Sequence, residues 1–250
     1  CLLSRGLGDV YKRQVSDRLE KTFTSVNFNM MIMIIYALIT IAIFGMWYYA
    51  RYEGNFLPSP KKTFNPMMIV AIVILVPGTQ FAANFIANLT GYIRPDWLQQ
   101  YNELFETSGI TDTTFVTVLY SVILAPICEE LIFRGVTMRC ARKALPFALA
   151  NLMQAALFGL FHLNWIQGIY AFALGIVLGY VCERGGSIYY SMGLHLLFNL
   201  WGTLSGFFPD PGNSVVVFVV VIVVTIVSLV AGFVLFNKGR RKLPINSTGI

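Results

Sequence analysis

Residues 30–49 read MMIMIIYALITIAIFGMWYY, twenty positions without one charged side chain. A hydrocarbon core about 30 Å thick is crossed by about 20 apolar residues in helix, so this stretch has the length of a membrane span. The rest of the 250-residue chain repeats the pattern. Hydrophobic residues make up 56% of it and charged residues 12%, about half the 25% of a soluble domain. That balance excludes a water-soluble globule, a coiled coil and a disordered chain. Four cysteines in 250 positions exclude a disulfide scaffold. Cys128, Cys140 and Cys182 lie in or beside apolar runs without metal-site spacing and read as reduced packing residues.

Further apolar runs extend from Met67 to about Ile93, onward from Thr113, and over Phe147 to Phe161, Trp165 to Cys182, Ser187 to about Leu204 and Ser214 to Phe236. The predicted fold class is therefore all-α, a polytopic membrane bundle of about seven transmembrane helices, with no internal repeat. Pro77 and Gly78 interrupt the second run as a kink that a membrane helix tolerates. Ahead of the third run, Asp96 is placed to cap an amphipathic helix with Trp97, Leu98, Tyr101, Leu104 and Phe105 along one stripe, suited to the outer membrane surface. Gly168, Gly175 and Gly179 predict close helix contact.

Residues 1–14, CLLSRGLGDVYKRQ, resemble nothing that follows and read as a foreign, adapter-derived tail. Setting them aside lowers the net charge from +6 to +4, and the reading allows for one lost N-terminal span. The chain then divides into N-terminal helices with a surface helix (15–112), a core (113–205), and a last helix with a basic tail (206–250). Lys and Arg near helix ends mark the cytoplasmic side. Twelve of the 18 basic residues, among them Arg51, Arg139, Arg142, Lys143, Arg184 and the Lys238–Lys242 cluster, fall on one side of a seven-span chain. This places the C-terminus in the cytoplasm and the protein in a bacterial inner membrane. Basic groups that flank apolar runs predict contact with the lipid bilayer and no nucleic-acid partner.

Ionisable groups at membrane depth are expensive, and each is a functional candidate. Glu129 and Glu130 are the only acidic pair inside an apolar run, and both of the chain's histidines, His162 and His195, lie in apolar segments. If the third helix spans Thr113 to Lys143, Glu129 and His162 stand 16 and 17 residues from Leu145 at the turn, at one level of an antiparallel hairpin. Glu130 and Arg134 are spaced i, i+4 and can pair, and His195 and Asn199, at the same spacing, present two hydrogen-bonding groups from one stripe of a helix. Glu129 is turned about 100° from Glu130 and is the carboxylate left free for chemistry. Ser121 and Cys128 have no base at useful spacing, so a covalent nucleophile is not expected.

The set Glu129-Glu130-x-x-x-Arg134, Phe158-x-x-x-His162 and His195-x-x-x-Asn199, in this order on successive apolar helices, resembles the CAAX protease and bacteriocin-processing family, also called the type II CAAX prenyl endopeptidase or Abi family. The resemblance covers about residues 113–205. It implies an intramembrane endopeptidase that hydrolyses a peptide bond of a membrane-associated or lipidated peptide, whether a CAAX-type terminus or a leader, reaching the site from the membrane or the cytoplasmic side. It implies that Glu129 with His162 polarises the attacking water and that His195 with Asn199 stabilises the oxyanion. Glu130, Arg134 and Phe158 are then supports. No cofactor is favoured. The alternative is a zinc-dependent version with Glu129, His162 and His195 as ligands, although no HExxH pair is present. Two other classes stay open at this stage: a proton-coupled transporter using the same residues, and a non-catalytic immunity protein.

Overall fold

The computed structural model describes residues 14–16, 18, 26–53, 65–108, 114–205 and 214–239. Residues 1–13 of the segment read as a foreign tail, Thr113, and the basic residues beyond Gly239 lie outside this set. Every regular element among the described residues is helical, and there is no strand. The elements are α1 (Val26–Tyr48), α2 (Pro66–Ile93), α3 (Pro95–Ser108), α4 (Phe115–Ala141), α5 (Phe147–Phe161), α6 (Trp165–Gly185), α7 (Ile188–Ser205) and α8 (Val215–Gly239).

Among the described residues, five helices are long and apolar enough to cross a membrane: α1 with its extension to Arg51, α2, α4, α6 and α8. The other two expected spans are present but different in kind. Helix α5 has 15 residues, about 22 Å at 1.5 Å per residue, short of a 30 Å core. Helix α7 has 18 and carries His195 and Asn199, which dilute its apolar character. The site residues thus fall largely on the helices least able to span alone.

The chain packs into a bundle in which α2 lies along α8, α5 along α6, and α7 bridges α2, α4 and α6. One core joins Leu75 of α2, Leu178 of α6, Leu194 of α7 and Phe236 of α8. A second joins Leu131 and Met138 of α4 with Tyr48, Cys182, Ile188 and Met192. The outer helices face lipid: 11% of the most apolar window of α8 is buried, against 44% in α2 and α6. With apolar solvent outside, helix association rests on van der Waals fit and polar links. Gly232 shows this fit, because a Cβ there would overlap the Leu75 side chain.

The α2–α8 contact resolves the Pro77 interruption. The Gly78 N–H donates to Ser228 Oγ at 2.9 Å. The Ser228 hydroxyl in turn donates to the Ile74 carbonyl. A side chain from the neighbouring helix thereby bridges two backbone groups beside the proline. At the same end of the pair as Gly239, Asn65 caps α2 by accepting from Met67 N, and its amide donates to the Gly239 carbonyl at 2.7 Å.

The surface helix α3 is present, with one change. Asp96 sits inside its first turn and does not cap it; the Arg94 carbonyl accepts from Trp97 and Leu98 instead. Proline at position 95 needs no N–H partner and starts the helix one residue earlier. The Asp96 carboxylate pairs with Arg94 at 2.6 Å, and hydrogen bonding from that guanidinium holds its carboxyl below the ordinary range. On the predicted stripe, Trp97 stacks on Trp165 at 5.3 Å and Tyr101 hydrogen-bonds Tyr170, which fixes α3 across the end of α6. The side chain of Phe105 is not among those described. Cys128 and Cys182 are buried as expected, but Cys140 is exposed, because it falls in the last turn of α4 where the helix leaves the bundle.

Candidate active site

Helix α4 runs through the centre of the site and is not uniformly α-helical. Leu119–Leu124 and Leu131–Met138 are π-helical, flanking one α-helical segment, Ala125–Glu130. Pro126 supplies no N–H for the Val122 carbonyl, and a wider turn just ahead of it accommodates that loss. Glu129 and Glu130 end the α-helical segment and are therefore set at a junction between two ladders. Thr114 starts the helix with a capping box to Thr117.

The two glutamates have different environments. Glu130 is fully buried, and its Oε1 accepts from Arg134 Nη1 at 2.8 Å. Arg134, equally buried, also donates from Nη2 to the Gly175 carbonyl of α6 at 3.3 Å and lies 4.5 Å from the Phe158 ring centre. Glu129 has 16% of its side chain exposed. It is the accessible member of the pair, as the spacing predicts.

His195 of α7 lies between them. Its Nδ1 is 3.0 Å from Glu130 Oε1 and its Nε2 is 3.6 Å from Glu129 Oε2. Neighbouring residues about 100° apart on a helix can reach one imidazole because its two nitrogens lie on different sides of the ring. Glu130 is already engaged by Arg134 and accepts, so the hydrogen on this side of the ring belongs to Nδ1. One helical turn on, the Asn199 amide donates to the Ser121 carbonyl at 2.8 Å, in the first π-helical segment. Asn199 keeps a second N–H beyond this bond.

His162 is not within the helix but caps its end. Helix α5 stops at Phe161, and the His162 ring Nδ1 is 2.8 Å from the Phe158 carbonyl. A carbonyl only accepts, so Nδ1 carries the hydrogen and Nε2 of the neutral ring presents a lone pair. The chain then reverses through Leu163, a non-glycine residue with φ of 53°, and Asn164 caps α6. Such a conformation costs about 1–3 kcal/mol, and it sits directly beside His162. Phe158 joins the two histidines: its ring meets His162 edge-on at 5.0 Å and His195 at 5.7 Å.

The geometry thus brings together Glu129, Glu130, Arg134 and His195, and the Phe158 ring touches both His195 and His162. The sequence reading set His195 on one stripe with Asn199 and, in the zinc alternative, beside Glu129 and His162. It missed the direct links from His195 to both glutamates and the Ser121 carbonyl that holds Asn199, since neither depends on spacing within one helix. It also missed Asn151 and Gln154, buried amides on α5. Their positions in an apolar run were a usable signal. Gly175 and Gly179 do serve close approach: a Cβ on Gly175 would come within 3.1 Å of Ala155. For the zinc alternative, no group of three His, Cys, Asp or Glu side chains among the described residues is gathered as a metal-ligand set. No step is assigned to a metal.

A polytopic helical bundle with a carboxylate–histidine cluster buried among its helices has the form of an intramembrane hydrolase. Residues 111–201 match the family of description "Type II CAAX prenyl endopeptidase Rce1-like". This segment, 91 of the 250 residues, contains every site residue named above and is similar to that endopeptidase family. No curated protein and no solved structure matches the chain. The matched family is one of endopeptidases, which favours the hydrolase reading over the transporter and the non-catalytic immunity protein.

Proposed function

We propose that the protein hydrolyses a peptide bond of a membrane-associated or lipidated peptide, a CAAX-type terminus or a leader, with Glu129 as the base that activates water. The observation that carries this is the placement of His195 between a fully buried, ion-paired Glu130 and a partly exposed Glu129. Glu129 and Glu130 set against Arg134 and a doubly protonated, cationic His195 ring form a formally neutral group, and a neutral group is what a low-dielectric site tolerates.

The division of work follows from these contacts. Water between Glu129 and the His162 Nε2 lone pair gives a proton to the Glu129 carboxylate as its oxygen attacks the carbonyl carbon. The developing oxyanion meets the Nε2 side of protonated His195 and the second Asn199 N–H, both held in advance by Glu130 and Ser121. The proton on Glu129 then passes to the leaving nitrogen, which completes the hydrolysis without a covalent enzyme intermediate. Substrate reaches the site from the membrane or the cytoplasmic side, in a bacterial inner membrane with the C-terminus cytoplasmic.

The test is Glu129→Gln in lipid nanodiscs, with peptides released from membrane extracts identified by mass spectrometry. Hydrolysis is expected to fall about 10²- to 10⁴-fold while the melting temperature stays at the wild-type value. Full hydrolysis by this variant would overturn the reading.

A further inference from the structure

A second group of polar side chains lies behind the site, where neither the water nor the substrate reaches. Gln154 of α5 is fully buried. Its Nε2 donates to the Gly175 carbonyl at 2.9 Å and to Asn151 Oδ1 at 2.7 Å. The Asn151 amide continues to the Ile176 carbonyl at 3.0 Å. Space for both amides comes from Gly179, where a Cβ would approach Gln154 Nε2 to 2.7 Å and overlap Asn151. The Gly175 carbonyl that Gln154 holds is the same one that receives Arg134 Nη2. From there the contacts run through Arg134 to Glu130 Oε1 and on to His195 Nδ1.

This is an unusual use of amides in an apolar bundle. Helices α5 and α6 already fit closely through Gly159, Gly168 and Gly175, so packing does not require them. Gln154 Oε1 is buried without a hydrogen-bond partner, a penalty that an apolar side chain of the same length would avoid. What the amide adds is a fixed place for one carbonyl. That carbonyl is an anchor of the Arg134 guanidinium, whose fork geometry passes its orientation on to Glu130.

We infer that Gln154, braced by Asn151, is a positioning residue for the hydrolysis: through the Gly175 carbonyl it sets Arg134, and through Arg134 and Glu130 it sets the ring of His195. The inference rests on the reading of Glu129 and His195 as the reacting groups. It predicts that a change on the far side of α5 is felt at one histidine and not at the other. His162 takes its orientation from the Phe158 carbonyl and meets this chain of contacts only through the Phe158 ring, with no hydrogen bond to it. The charged groups that face His195 are Glu129, Glu130 and, behind Glu130, Arg134, with the Phe158 ring on its open side.

The chain has only two histidines, so protein labelled with ¹⁵N in the imidazole rings gives two assignable sets of NMR signals. Gln154→Met in nanodiscs is expected to move the His195 ring signals. His162 should stay within error. Turnover on the peptides used for Glu129→Gln should fall about tenfold through kcat, the size of effect that slight misplacement of a reacting group brings, with KM unchanged. Ser228→Ala, remote from the site, serves as the control for loosened packing and should leave both histidines in place. The inference fails if Gln154→Met leaves His195 unmoved, or if it moves His162 equally. Should Gln154→Met not fold, Asn151→Ala is read by the same two criteria. Failure of this test with Glu129→Gln still inactive would remove Gln154 alone, whereas an active Glu129→Gln would remove the catalytic reading.

Discussion

Two polar groupings are buried in this bundle, and they behave differently. In the α2–α8 pair, Ser228 is neutral, and its one hydroxyl both donates to Ile74 and accepts from Gly78. Around α4 and α7, Glu129, Glu130, Arg134 and His195 are ionisable side chains in mutual contact, and Glu129 keeps 16% of its side chain exposed. The first grouping mends a helix. The second is satisfied on one side and left open on the other, which is the condition for chemistry. A polar side chain at membrane depth therefore becomes a functional candidate when part of its hydrogen-bonding capacity still faces a reactant, and burial alone does not make it one.

This contrast is sharpest in the variants it predicts. Glu129→Gln should give the largest effect, a loss of hydrolysis by orders of magnitude with little loss of stability, since Gln keeps a hydrogen-bonding group at the partly exposed 3.6 Å contact with His195. Next in size is Arg134→Ala, which strands the fully buried Glu130 carboxylate and should destabilise the fold by about 3–5 kcal/mol, read by thermal unfolding in nanodiscs. Replacing both partners, Glu130→Met with Arg134→Leu, should recover most of that stability but not activity, because His195 loses its Nδ1 partner. Recovery of both would erase the distinction between the groupings. Ser228→Ala should lower stability by about 1–2 kcal/mol by unpairing Gly78 and Ile74, with hydrolysis per folded molecule unchanged. The smallest effect belongs to Trp97→Ala, about 0.5–1.5 kcal/mol from the lost stacking on Trp165, measured in the same way.

Much of the fold was legible because apolar runs of membrane length have few other uses, and each expected span appears as a helix. The site was legible to the extent that its parts share a helix: Glu130 with Arg134, and Glu129 as the carboxylate outside that pair. What spacing could not show are links across the bundle. His195 lies 65 residues from Glu130 and Asn199 lies 78 from Ser121, and no local period encodes such pairs. The π-helical segments of α4 escaped for a related reason, since a period of 3.6 assumes the ladder whose interruption at Pro126 widens the turn. Asp96 shows a smaller limit. Cap preference pointed to the acid, while the proline before it had already begun the helix.

The Glu130–Arg134 bond has a further consequence for how the protein is made. Both partners sit on one helix, four residues apart, so their charges cancel within the segment as it leaves the translocon, before α5 to α8 have been synthesised. Glu129 gains its facing group only after α7 has been synthesised and has docked. During biogenesis α4 thus enters lipid as a nearly neutral rod bearing one uncompensated acid, and the arrival of His195 both completes the site and removes the last charge that resists insertion.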